Sequence, residues 1–254
     1  MNDASVSSSD AATKVAGLNL DATALLLDVD GTVLDIAPAP DAVVVPASLR
    51  RSLLDLTARL NGACALVSGR TIGTLDRLFT PSKLSAIGAH GAEMRIGGEY
   101  RTSAVAPLPA ALRAKLAAAE KMGILVEDKG FSVALHFRTA SERENELRCF
   151  AEATCREFAA ENVDVLSGKA MIEIKRAAVN KGEAVRALMQ LAPFSGRRAV
   201  FIGDDVTDHA VFAILPTLGG LGFSVGVPFA GLAGHFDSPA DVRDALQTLA
   251  NKQM

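Results

Sequence analysis

Two aspartates, Asp28 and Asp30, follow the apolar run Ala24-Leu25-Leu26-Leu27 and precede Gly31-Thr32. In an extended chain, residues two apart point the same way, so the two carboxylates can share one site. Held that close they repel each other unless a cation sits between them. A hard divalent ion suits an oxygen-only ligand set, and Mg²⁺ is the one expected here. One aspartate can then stay ionised and attack phosphorus, giving an aspartyl-phosphate, while the other serves as acid and base. Asp-Gly is also a common turn pair. The rest of the chain has to decide between the two readings.

Three further stretches bring reactive groups. Ala63-Cys64-Ala65-Leu66-Val67 reads as a buried strand ending in Ser68-Gly69-Arg70, with a helix from Thr71 to about Phe79. A hydroxyl between a strand and a helix N-terminus can bind phosphate, or simply cap the helix. Arg198-Ala199-Val200-Phe201-Ile202 is another apolar run, and Asp204, Asp205 and Asp208 follow it. Lys181 stands at the start of a helix. So many carboxylates at one sheet edge are unfavourable without a metal. Phosphoryl transfer requires such a set: cations for the equatorial oxygens and a nucleophile in line. His90, in Gly88-Ala89-His90-Gly91-Ala92-Glu93, is a lone histidine with either a structural or a catalytic use.

The elements that must position these groups follow from periodicity. Apolar runs ahead of Asp28 and Ser68 read as strands buried on both faces, of the kind found in parallel sheets. Between them, Leu49, Leu53, Leu56 and Leu60 mark a helix that opens at Pro46 and stops at Asn61-Gly62. The pattern changes near Pro107. Leu108 to Met122 predicts an Ala-rich helix, and Ile124 to Gly130 and Phe131 to Arg138 a strand pair. A helix capped by Ser141 and a second hairpin, Val163–Leu166 with Ala170–Lys175, follow. On Phe131–Arg138, Phe131, Val133, Leu135 and Phe137 form the apolar face, and Ser132, Ala134, His136 and Arg138 the other. From Asn180 the wound pattern resumes and ends in a helix from Pro239 capped by Ser238. The fold class is α/β: a doubly wound Rossmann-like parallel sheet core with an inserted α+β cap. The expected divisions are a mobile tail over residues 1–19, a core over 20–106 and 177–254, and the cap over 107–176.

Composition narrows the partners. With 26 Lys+Arg against 29 Asp+Glu and a formal charge of −3, no basic field exists to attract nucleic acid or anionic membrane. Aromatic residues make up 5% with no Trp, too few for a base-stacking surface. Cys64, Cys149 and Cys155 have no metal-binding spacing and fit reduced thiols, so a cytoplasmic location is expected. The first residues lack the basic and apolar regions of a signal peptide, and no apolar run approaches a membrane span.

The stretches DVDGTVLDIAPAPDAVVVP, LVSGR, GAHGAEMR, VEDKGFSVALHFR, IEIK, NKGEA and FIGDDVTDHAVF, in this order, resemble the trehalose-6-phosphate phosphatases of the haloacid dehalogenase superfamily. The resemblance runs from about Ala22 onward. It implies a Mg²⁺-dependent phosphatase of trehalose biosynthesis. Asp28 would be nucleophile and metal ligand, and Asp30 general acid/base with its backbone carbonyl on the metal. Ser68 and Lys181 would hold the phosphoryl group. Asp204 would complete the metal site, supported by Asp205 and Asp208. Glu127, Lys129, Arg138 and Glu173 would grip the disaccharide, and His90 would lie in the core motif facing the cap. In Ile172-Glu173-Ile174 the apolar neighbours should point to the buried face of the cap, which leaves Glu173 on the open sheet surface. A small sugar phosphate is then the ligand, a monomer is expected, and a functional link to a trehalose-6-phosphate synthase is implied. His209 departs from the family, which usually has Glu there. A phosphosugar mutase or a phosphatase for another sugar phosphate would use the same core groups.

Overall fold

Leu25, Leu26 and Leu27 are fully buried, as a run without polar alternation requires when both faces of its sheet are covered. In the computed structural model, which describes residues 8–37, 42–102, 105–168 and 170–252, this run is the central strand. The chain enters through α1 (Ser8–Ala16) and β1 (Thr23–Leu27). It continues through α2 (Ala47–Arg59), β2 (Cys64–Val67), α3 (Ile72–Leu78), β3 (Ser85–Gly88), β4 (Glu93–Ile96) and β5 (Glu99–Thr102). An excursion follows: α4 (Ala110–Ala117), β6 (Leu125–Asp128), β7 (Ser132–His136), α5 (Glu144–Glu157), β8 (Val163–Gly168) and β9 (Met171–Arg176). The chain returns through α6 (Lys181–Leu188), β10 (Arg198–Gly203), α7 (His209–Ile214), β11 (Leu221–Val225), β12 (Gly234–Phe236) and α8 (Pro239–Asn251).

Two compact units result, one of residues 1–102 and 180–254, the other of 103–179. The inserted unit is a few residues wider at each end than the pattern change near Pro107 suggested.

In the first unit the described strands form one sheet in the order β12-β11-β10-β1-β2-β3-β4-β5. Pairing is parallel from β12 to β3 and antiparallel across β4 and β5. Strand order runs outward from β1 in one direction through β2 and β3. It runs outward in the other through β10, β11 and β12. The switch point between β1 and β10 is where open α/β sheets place their ligands. Asp28 follows β1 and Asp204 follows β10, so the topology delivers both acidic stretches to that point. In the second unit the sheet order is β6-β7-β9-β8, antiparallel throughout. Its separate apolar core includes Leu112, Leu116, Val133, Leu135, Leu147, Ile172 and Ile174.

Several expectations are corrected. Residues 8–19 are not a loose tail. Ala11 and Val15, four apart on α1, are fully buried, and α1 packs against α8 and β12. Lys14 Nζ donates to the Ala233 carbonyl at 2.6 Å and Lys252 Nζ to that of Leu18 at 3.1 Å. A single turn of small apolar residues is too weak a signal to be read without its partner helix. Residues 1–7 of the expected tail lie outside the described residues. The helix expected from Leu108 to Met122 tightens into a 3₁₀ turn over Ala118–Met122 and ends at left-handed Gly123. Ser141 begins a 3₁₀ turn and makes no capping bond to α5. β7 ends at His136, which leaves Arg138 exposed in the turn beyond it.

Candidate active site

The Asp28 N–H donates to the Ile202 carbonyl at 2.9 Å, which carries the β1–β10 ladder one step past the strand and fixes where Asp28 stands. Its side chain is buried, and Lys181 Nζ donates to Asp28 Oδ1 at 2.6 Å and to Asp208 Oδ1 at 2.8 Å. Lys181 is the first residue of α6, capped by the Asn180 side chain, which accepts from the Glu183 N–H at 2.9 Å. Burial, reinforced by the charges of Asp208 and Asp204 and opposed by Lys181, pushes the Asp28 carboxyl well above the usual range. Burial works to lower the Lys181 pKa, but the charges and hydrogen bonds of Asp208 and Asp28 outweigh it and push it above the usual lysine range.

Asp28, Asp204 and Asp208 each present an oxygen within 4.8 Å of the other two. Among the described residues this triad is a hard, oxygen-only donor set of the kind a Mg²⁺-sized cation takes. A Cβ on Gly31 would lie 2.1 Å from Asp204 Oδ2, and Gly31 has a φ of +85°. Only glycine lets the chain after Asp30 turn this closely under Asp204. Thr32 Oγ1 donates to Asp204 Oδ1 at 3.3 Å. Asp208 is fully buried, and its Oδ2 accepts from the backbone N–H of Asp204 at 2.9 Å and of Asp205 at 3.0 Å. Asp205 turns its own carboxylate back to the Val206 N–H at 2.7 Å, so it caps the loop.

The Asp30 carboxylate lies outside the triad. Arg70 grips it with two bonds, Nε to Oδ2 at 2.6 Å and Nη2 to Oδ1 at 2.8 Å. Buried Ser68 accepts from the Arg70 N–H at 3.1 Å, and its carbonyl accepts from the His90 N–H at 3.0 Å. His90, in the left-handed region at φ 57°, lies so close to Gly69 that a Cβ there would be 2.5 Å from His90 Cε1. His90 therefore belongs to the wall behind Ser68. Glu93 seals the same corner by accepting from the Ile72 N–H at 2.7 Å. The His209 ring packs edge-on against Phe229, with centroids 4.5 Å apart.

In the second unit, Glu173 is not on an open surface. It is 1% exposed, with Ser132 Oγ donating to its Oε1 at 2.5 Å and Lys129 Nζ to the same oxygen at 3.1 Å. A buried carboxylate requires such donors. Glu127 Oε2 meets His136 Nε2 at 3.1 Å, and Lys129 Nζ stands 3.9 Å away. Burial works to raise the Glu127 carboxyl, yet the His136 bond and the Lys129 charge hold it below the usual range. Glu127, Lys129 and Glu173 thus form one cluster. Arg138 lies in its exposed turn beyond β7.

Arg70, Thr32, Ser132 and His136 bond to these residues, and the motif reading did not single them out. Their signals were present. Arg70 follows Ser68 by two residues, and Ser132 and His136 alternate on the polar face of β7.

The fold defines the class as an α/β protein with a doubly wound core sheet and an inserted α+β unit. The C-terminal domain of a C. albicans trehalose-6-phosphate phosphatase shares the fold with a TM-score of 0.80 at 21% identity, covering 99% of this chain and 100% of that one. The family model described as Trehalose-phosphatase matches residues 26–231. A probable trehalose-phosphate phosphatase of Sinorhizobium fredii is 43% identical over 91% of this chain and 89% of its own length. The trehalose-6-phosphate phosphatase of Escherichia coli is 38% identical over 80% of this chain and 77% of its own. The chain belongs to the trehalose-phosphatase family. It is therefore a phosphatase, a phosphoric monoester hydrolase. Among the described residues no helix is long and apolar enough to cross a membrane.

Proposed function

We propose that the chain hydrolyses trehalose 6-phosphate to trehalose and phosphate with Mg²⁺, the last step of trehalose biosynthesis. The observation that carries this reading is buried Asp28, paired with Lys181 inside a carboxylate triad at the switch point of a family-typical sheet. Asp28 and Asp204, with the Asp30 carbonyl, would hold Mg²⁺. Bound there, the ion supplies positive charge to carboxylates and phosphoryl oxygens that would otherwise repel.

An Asp28 oxygen attacks phosphorus, and the bond from phosphorus to the sugar oxygen breaks. Asp30, once freed from Arg70 and protonated, gives its proton to the departing oxygen. Water then attacks the aspartyl-phosphate, Asp30 takes a proton back, and phosphate leaves. Lys181 and Ser68 hold the phosphoryl oxygens. Asp208 positions Lys181 and, through its two backbone bonds, the Asp204 loop; Asp205 caps that loop. Glu127, Lys129, Arg138 and Glu173 bind sugar hydroxyls, and His90 shapes the wall behind Ser68.

A phosphate-release assay over a panel of sugar phosphates tests the reading. Trehalose 6-phosphate should be the preferred substrate, EDTA should abolish release, and Asp28→Asn should lower the rate by at least about a thousandfold while the melting curve stays cooperative. Preference for another sugar phosphate would overturn the substrate, and turnover by Asp28→Asn would overturn the mechanism.

A further inference from the structure

Strand β7 stands between the two strands that carry the acids of the second unit. Ala134 is directly opposite Glu127 on β6 and directly opposite Glu173 on β9. Two strand spacings therefore separate the backbones of the acids, about 10 Å. On the same face of β7, two residues to either side of Ala134, are Ser132 and His136. Each reaches one acid: Ser132 Oγ donates to Glu173 Oε1 at 2.5 Å, and His136 Nε2 meets Glu127 Oε2 at 3.1 Å. Lys129 lies between the carboxylates, 3.1 Å from Glu173 and 3.9 Å from Glu127.

We infer that Ser132 and His136 are positioning residues for sugar recognition: β7 fixes the spacing and rotation of Glu127 and Glu173, the two acids that accept the sugar's hydroxyl protons. The inference rests on the functional reading above. A glutamate has three rotatable bonds, and holding them in place costs entropy that must be met before or during binding. Two donors on a single oxygen, Ser132 and Lys129 on Oε1, fix the last of those rotations in Glu173 and hence the direction of Oε2. His136 does the same for Glu127 from the opposite end of the strand. Without the Ser132 and His136 bonds the acids would be held less firmly before the ligand arrives, at the expense of affinity. Ala134 contributes a short side chain between the acids, so nothing on β7 intrudes between them. Ser132 and His136 touch the acids and act through them.

The test is a pair of double-mutant cycles on the full chain, read as KM and kcat for trehalose 6-phosphate. Ser132→Ala should raise KM about five- to tenfold with kcat within about twofold, and Ser132→Thr, which keeps a hydroxyl, should restore most of the loss. Glu173→Ala should cost about ten- to a hundredfold in kcat/KM. Adding Ser132→Ala to Glu173→Ala should then cost nothing more, because the hydroxyl has lost the group it acts through. His136→Phe should behave in the same way towards Glu127→Ala. Thermal melts of each variant report folding, and a structural role would lower the melting temperature without this non-additivity. Losses that multiply in both cycles, or Ser132→Ala and His136→Phe at wild-type KM, would overturn the inference alone. A wild-type enzyme that releases no phosphate from trehalose 6-phosphate would overturn the functional reading and the inference with it.

Discussion

At the scale of single residues, Asp208 explains why the acidic cluster does not simply repel itself apart. One oxygen accepts from Lys181 and the other from two backbone N–H groups, so its charge is matched by donors on both sides. An amide in its place would have to turn an NH₂ towards either the ammonium or the two N–H groups. Donor would face donor in a buried site, at a cost of about 2–4 kcal/mol. Asp208→Asn should therefore lower unfolding free energy by that amount and reduce turnover at every Mg²⁺ concentration. Asp204→Asn, which weakens the proposed metal site and leaves those bonds intact, should regain activity as Mg²⁺ is raised. Urea unfolding and a Mg²⁺ titration of both variants decide this, and identical Mg²⁺ curves would contradict the separate roles. The cluster was legible because its acids follow apolar strand-like runs. The partner of Asp30 was less so. Arg70 lies forty residues on, and nothing in a linear pattern shows that its guanidinium reaches back across the sheet edge to take that carboxylate in two bonds. The alternation of Ile172, Glu173 and Ile174 predicts an open face for Glu173, because its two neighbours point to the core. The alternation was right, but the opposite face is itself occupied by Ser132 and Lys129.

At the scale of elements, strong periodicity transferred well and weak periodicity did not. α2 shows its buried stripe of Leu49, Leu53 and Leu56 in the sequence itself. α1 offers only Ala11 and Val15, a pattern that acquires meaning beside α8. Gly182 is a similar case. A Cβ there would sit 2.3 Å from the Ala210 carbonyl, so the glycine after Lys181 permits close approach of α6 and α7, and with it the bond from Lys181 to Asp208. Because Val15 is fully buried, α1 should contribute to stability. Val15→Asp would place a carboxylate in an apolar contact at a cost of about 3 kcal/mol or more. It should lower the melting temperature by several degrees. Removing residues 2–16 should do the same, since it exposes the faces of α8 and β12 that α1 covers. An unchanged melting temperature in both would mean that the helix adds nothing to the fold.

At the scale of the whole molecule, the change from parallel to antiparallel patterning made the inserted unit visible, because alternating and continuous apolar runs belong to different kinds of sheet. Its edges were harder to place. The linkers carry no periodicity, and Arg176 ties them together from within the unit by donating to the Ala106, Pro107 and Glu161 carbonyls. Each unit has its own apolar cluster, one containing Leu246 and the other Leu135, both fully buried. Cooperative unfolding follows contiguous cores, so the two units should open as separate foldons. Hydrogen exchange read by mass spectrometry distinguishes them even where thermal transitions overlap. Leu246→Ala should cost about 2–5 kcal/mol and accelerate exchange in residues 8–102 and 180–252. Leu135→Ala should cost a similar amount and accelerate exchange in residues 105–179 only. Removing Mg²⁺ gives an independent perturbation, because Asp28, Asp204 and Asp208 all belong to the first unit. It should increase exchange there and leave the second unit's protection unchanged. If each of the three perturbations instead loosened both units equally, the molecule would unfold as one cooperative body, and the inserted unit would owe its order to the sheet that carries it.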